Sequence, residues 1–145
     1  MYLPKLLLAI FFVGLLGSTT ELFFLEHYED VKQFIPFVVA GLGFAVGGWY
    51  AARPGPSSLR AFRGVLGLMA FSAVVGVFLH YRGNVEFEQE RDATRSGFPL
   101  MWESLRGATP ALAPGTMLLL ALIGYAATIS RTGTGPMGRE IPPQA

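Results

Sequence analysis

Four apolar runs, at 6–25, 34–52, 59–80 and 111–129, constrain this chain more than any other feature. The last is uncharged throughout, and the third carries charge only near its start, at Arg60 and Arg63. Each is about the length that crosses a bilayer core as a helix, roughly 20 residues. Lipid offers no hydrogen bonds, so the backbone groups of such a run must pair within the run, and a helix achieves this. The expectation is an all-α integral membrane protein whose four helices form two transmembrane hairpins. They make one domain over 1–130 and leave 131–145 as a polar tail. Composition agrees: 52% of residues are hydrophobic and 14% charged, against about a quarter charged in a soluble domain.

The first run has a cation before it and small residues near Ser18, as a signal peptide would. Apolar sequence resumes at 22–25, so it reads as a retained span. The charges then sort by side. The N-terminus, the 53–63 loop and the tail hold six cations (Lys5, Arg53, Arg60, Arg63, Arg131, Arg139) and one anion, Glu140. The other side holds five cations and nine anions. The short loop "AARPGPSSLRAFRG" is purely basic, which places both termini in the cytoplasm by the positive-inside rule. A net charge of +1 without a clustered basic face gives no support for nucleic-acid binding, and no nucleic-acid partner is expected. Zero cysteines exclude a disulfide framework, a thiolate metal site and a thiol nucleophile.

The two outer segments carry the polar chemistry. In "ELFFLEHYEDVKQFIP" the first helix is expected to run on to about Tyr28, aligning Glu21, Leu25 and Tyr28 at helical spacing. In the second, Gly83-Asn84 is a turn pair, so the third span should end there. Glu86, Glu88 and Glu90 then alternate with Val85, Phe87 and Gln89, the pattern of an extended strand. "SGFPLMWESLRG" reads as a short interfacial helix with Ser96 as its cap and Gly107 at its end. Phe98, Met101, Trp102 and Leu105 form its apolar face, and Trp102 suits the headgroup level. Pro110 should open the fourth span with Thr109 as N-cap, and Pro114 should bend it.

Candidate site residues follow from this layout. "HY" occurs just beyond two apolar spans, at His27-Tyr28 and His80-Tyr81. His27, Asp30, His80, Asn84 and Glu86, with Glu26 beside them, could converge on a divalent metal, because imidazole and carboxylate together suit zinc, iron, copper or manganese. The competing reading is a solvated rim, its histidines capping helix ends. Glu21 lies beside Thr19 and Thr20 near the hydrocarbon edge, either as an intramembrane functional carboxylate or as a structural one that snorkels to the surface or is bonded by threonine. Gly43 and Gly47 stand at GxxxG spacing, which lets helices approach closely in lipid, within this bundle or against another protein. No nucleophile elbow, P-loop, dinucleotide fingerprint or kinase signature occurs.

The stretches "HYED", "LHYRGNVEFE" and "GATPALAPG", followed by an apolar last span, resemble an uncharacterised family of small bacterial four-span membrane proteins. The resemblance extends over most of 21–125. It implies a bacterial inner-membrane location and carries no activity. The expected function is a non-catalytic accessory subunit of a larger membrane complex, of photosynthetic or respiratory type, in contact with lipid and with other subunits. The alternative is a membrane protein that binds a divalent metal through the outer His/carboxylate set.

Overall fold

The computed structural model describes residues 2–107 and 113–132, the last three as backbone only. The described residues contain helices and no strand. The helices are α1 (Leu3–Phe24), α2 (Ile35–Ala52), α3 (Pro56–Arg91), α4 (Gly97–Leu105) and α5 (Gly115–Thr132), with a 3-10 turn, Val31–Phe34, leading into α2. Three helical segments are long and apolar enough to cross a membrane: Leu3–Phe24, Val31–Ala52 and Pro56–Arg91. The apolar part of α5, Gly115–Ile129, is shorter.

Local chemistry explains most of the boundaries. Proline stands in the first turn of α1, α2 and α3, where its missing N–H leaves no bond unmade and its fixed φ already suits the helix. The loop before α3 is tied by Ser58, whose Oγ accepts from the Gly55 amide at 3.0 Å and donates to the Arg53 carbonyl at 2.8 Å.

Three boundaries differ from the sequence expectation. The first concerns α1, which stops at Phe24 instead of reaching Tyr28. Glu26 takes φ +53°, its amide donates to Phe23 O at 3.1 Å, and the His27 amide donates to Leu22 O at 3.0 Å. This bond pair is the Schellman motif, in which a left-handed residue closes a helix by satisfying its last carbonyls. Glu21, Leu25 and Tyr28 therefore do not share a helical face, and neither do His27 and Asp30.

The second concerns α3, which runs unbroken through Gly83-Asn84 to Arg91, so 85–90 is helical and not extended. A glycine inside a helix costs only about 1 kcal/mol. Against that, Arg82 reaches over the suspected break to Glu86, Nε to Oε1 2.9 Å, and Asn84 is buried in a bond to the next helix. Six alternating residues also satisfy a helical reading, since Asn84 and Glu88 fall one turn apart on one face.

The third concerns α5, which begins at Gly115, with residues 113–114 in a turn. Pro114 precedes the helix instead of bending it, and its carbonyl receives the Met117 amide at 3.1 Å. The expected cap and first-turn proline, Thr109 and Pro110, lie outside the described residues.

Helices α1, α2, α3 and α5 pack as a ring, each on two neighbours. Phe11, Leu15, Phe62, Leu66, Met69 and Leu120 fill its centre, and Phe11 meets Phe62 edge to face at 5.4 Å. Glycines set the close approaches. A β-carbon at Gly43 would stand 2.9 Å from Leu15 Cδ2, and one at Gly47 3.1 Å from Phe62 Cε2. The Gly43/Gly47 pair therefore serves packing within the bundle. One at Gly124 would stand 2.6 Å from Leu66 Cδ2, and one at Gly76 2.8 Å from Pro114 Cβ.

These contacts give the antiparallel register of α3 and α5. Gly76 lies against Pro114, Leu66 against Gly124, and Arg63 against Thr128, where Nε donates to Oγ1 at 3.1 Å. Helix α5 thus begins at the level of Gly76. The 15 residues of α3 beyond it (77–91) continue for about 22 Å at 1.5 Å per residue. Helix α4 packs on that extension.

Candidate functional site

The end of the bundle that carries α4 gathers most of the polar side chains singled out above. The Schellman turn aims the chain after α1 back toward α3. The chain's two histidines meet there: the rings of His27 and His80 have centres 6.0 Å apart and planes inclined by 29°. Both side chains are half-buried.

The other expected ligands do not join them. Asn84 stands one turn beyond His80 on α3, is buried, and donates from Nδ2 to the Ser104 carbonyl at 2.8 Å. Glu86, two residues further, points to the far side of the helix and pairs with Arg82, with its side chain 60% exposed. Asp30 is exposed ahead of the 3-10 turn, where its amide and that of Glu29 both donate to Gln33 Oε1 at 3.2 and 2.7 Å. Glu26 is exposed as well. Among the described residues, no group of three or more His, Asp or Glu side chains is placed to hold a metal.

Glu88, expected on an extended strand with Glu86 and Glu90, is buried on helix α3. It binds Arg95 through Oε2 and Arg91 through Oε1, the latter at 3.3 Å. A buried carboxylate must be paired to be tolerated, and here both oxygens are. Its spacing of four from Asn84 puts both on one helical face, a signal that the strand pattern of 85–90 conceals. Asp92, next after the helix, accepts from the hydroxyl of Thr94 at 2.6 Å and from the Thr94 amide at 3.0 Å. The hydroxyl bond, then the amide bond, and then the Arg95 charge hold its carboxyl below the usual aspartate range.

Helix α4 is amphipathic in an inverted sense. Ser104 is fully buried and Gly107 lies against Asn84, while Leu100 and Glu103 are half-buried on the same stripe. Its apolar residues Phe98, Met101, Trp102 and Leu105 are all exposed, Phe98 at 68%. Ser96 takes the cap position with extended backbone but makes no side-chain cap bond. The Arg106 guanidinium sits over the Trp102 ring at 6.0 Å.

Two further positions were only partly legible in the sequence. Arg63, counted there simply as a basic-loop cation, is half-buried, bonds Thr128 and covers the ring of Tyr125 at 5.3 Å. Glu21 is exposed on an open apolar face of α1 with Val13, Leu16, Gly17, Thr20 and Phe24. The neighbouring threonines do not hold it: Thr19 and Thr20 donate to the carbonyls of Leu15 and Leu16 at 2.7 and 2.9 Å, the usual back-bonding of helical threonine.

Compared with known protein families, with curated proteins and with solved structures, the chain finds no match.

Proposed function

We propose that this protein is a non-catalytic accessory subunit of a larger bacterial inner-membrane complex, with photosynthetic and respiratory assemblies as the first candidates. The observation that carries this reading is the inverted helix α4. Its apolar ridge points away from the protein that holds it, and exposed contiguous apolar surface marks contact with lipid or with another protein. The bundle beneath it fits the same role. Gly41, Gly48 and Gly64 have no atom near the position of a missing β-carbon, which leaves room for a neighbouring helix to approach closely.

In this reading all four long helices cross the membrane. Helix α5 runs beside α3 from Gly76 to Arg63, so its apolar stretch shares the layer that α3 traverses. The basic loop with Arg53, Arg60 and Arg63 lies in the cytoplasm together with both termini. Helix α4 rests at the opposite surface. Asn84, which holds it, is four residues beyond His80, about 6 Å along the helix, and the headgroup layer is roughly 5–7 Å thick. Trp102 and Arg106 suit that depth, one ring apolar with a wet edge and one cation snorkelling.

The test is extraction of the full chain from its native membrane in mild detergent. Co-migration with other membrane subunits through two orthogonal separations supports the proposal. Recovery only as a particle of this chain and its bound detergent would sink it.

A further inference from the structure

We propose that Arg60 and Arg63, where α3 meets α5, bind the headgroup phosphate of one anionic phospholipid, with an acyl chain lying along the seam between the two helices. Arg63 is half-buried, donates from Nε to Thr128 Oγ1 at 3.1 Å and covers the Tyr125 ring at 5.3 Å. These contacts fix the guanidinium before a ligand arrives, so binding orders little that was free. Nε is spent on Thr128, while among the described residues no partner holds the two terminal nitrogens. No described carboxylate pairs with Arg53, Arg60 or Arg63 either. A guanidinium offers its donors as a planar fork that matches phosphate, and a half-buried cation without an anion carries a desolvation cost that an anion offsets.

Charge and depth select the ligand. Arg60, three residues before Arg63, is exposed, and its Nε donates to the Pro56 carbonyl at 3.3 Å. That bond folds it toward the start of α3, where the positive end of the helix dipole lies. Exposed Lys5 and Arg53 add to the field at this end. The acidic side chains of the described residues lie at the other end, from Glu21 in the last turn of α1 to Glu103 on α4. Trp49, one turn before Arg53, and Tyr125, beneath Arg63, are both half exposed, as aromatic side chains at the headgroup boundary are. The arginines therefore stand at the level of lipid phosphates. Basic sites between transmembrane helices at this depth take anionic headgroups.

Below the arginines the seam is apolar. On α5, Tyr125, Leu122 and Leu118 recur at helical spacing and are exposed. On α3, Gly67 and Val74 are exposed about one and three turns beyond Arg63. From Arg63 to Val74 is 11 residues (74 − 63), or about 16 Å along the helix. Half the hydrocarbon core is roughly 15 Å thick, so the seam has the reach of one acyl chain. This inference rests on the reading in which α3 and α5 cross the membrane. It needs no partner subunit, so failure to bind lipid and failure to co-migrate are separate results.

The experiment uses the full-length protein, delipidated in neutral detergent. It is offered equal amounts of phosphatidylglycerol and phosphatidylcholine with the same chains, and the retained lipid is counted by native mass spectrometry. The expected result is one phosphatidylglycerol per chain, preferred by about tenfold or more. Arg60→Gln and Arg63→Gln should each reduce that preference about fivefold. Arg82→Gln, which removes the same charge at the α4 end, should leave it unchanged. Equal retention of the two lipids by the wild type overturns the proposal. Equal losses in Arg63→Gln and Arg82→Gln overturn it too, since they would mark a response to net charge alone. Glycerol 3-phosphate, which lacks acyl chains, should not displace the lipid at equal concentration; displacement would assign the arginines to free phosphate and refute the lipid site. If an arginine variant fails to fold, the wild-type competition between the two lipids decides alone.

Discussion

Asn84 on α3 holds the main-chain carbonyl of Ser104 on α4 at 2.8 Å, with Gly107 packed against the same amide group. This contact fastens a helix whose outward face is apolar to a helix that has already left the bundle. It also explains why Gly83-Asn84 does not act as a turn: the asparagine is spent on a tertiary bond.

Removing that bond leaves a buried acceptor unpaired, which costs about 1–3 kcal/mol. Asn84→Leu is expected to speed amide exchange across α4 while α1, α2 and the bundle part of α3 keep their protection. Gly107→Ala should act in the same direction, since its β-carbon would lie 2.6 Å from Asn84 Cγ. The two changes share one contact, so their effects should fall short of additive. Full additivity in a double-mutant cycle would show that they act separately.

Two glycines of α3 should respond oppositely to alanine. At Gly76 the new methyl meets the Pro114 ring at 2.8 Å, and a proline ring cannot swing aside, so overpacking should destabilise by about 1–3 kcal/mol. At Gly64 nothing lies within 4 Å, and the better helix propensity should stabilise by up to about 1 kcal/mol. Thermal unfolding of both variants in one detergent gives the comparison. A stabilised Gly76→Ala would contradict the register assigned to α3 and α5.

Glu26→Gly should raise stability by about 0.5–1 kcal/mol, because glycine adopts positive φ without the steric cost, partly offset by its freer unfolded chain. Glu26→Val, β-branched and ill-suited to that region, should lower it. Equal melting temperatures for glycine, glutamate and valine at this position would mean that the turn is not closed as described.

The segment following α3 should loosen in acid. Asp92 is held below the ordinary aspartate range, chiefly by the Thr94 hydroxyl, so its folded value lies under its unfolded one. Its contribution is therefore present above the unfolded value, about 3.9, and is lost as pH falls through the lower folded value. Exchange protection of the Thr94 amide should hold above the unfolded value, about 3.9, and fall as the pH is taken below it and through the lower folded value. In Asp92→Asn that acid step should be absent. Persistence of the same step in the asparagine variant would assign it to another group.

The helical class of this protein follows from sequence alone, and the reason is local. An apolar run in lipid must satisfy its own backbone, and the prolines at 4, 36 and 56 mark starts that need no partner elsewhere in the fold. The apolar stripe of α4 is equally local, being a matter of spacing within nine residues. Tertiary structure decided what spacing could not express. Helices apolar on every side carry no pattern that separates core from surface, so Gly43 and Gly47 could be assigned inward only by the side chains of Leu15 and Phe62. Glycine, asparagine and alternating glutamates favour a break locally, and a single buried bond from Asn84, with the ion pairs of Arg82 and Glu88, reverses that preference. The meeting of His27 with His80 depends on a left-handed turn at a glutamate, a residue whose sequence preference argues against such a turn. Contacts between residues distant along the chain set these outcomes, and their energies exceed the local propensities they oppose.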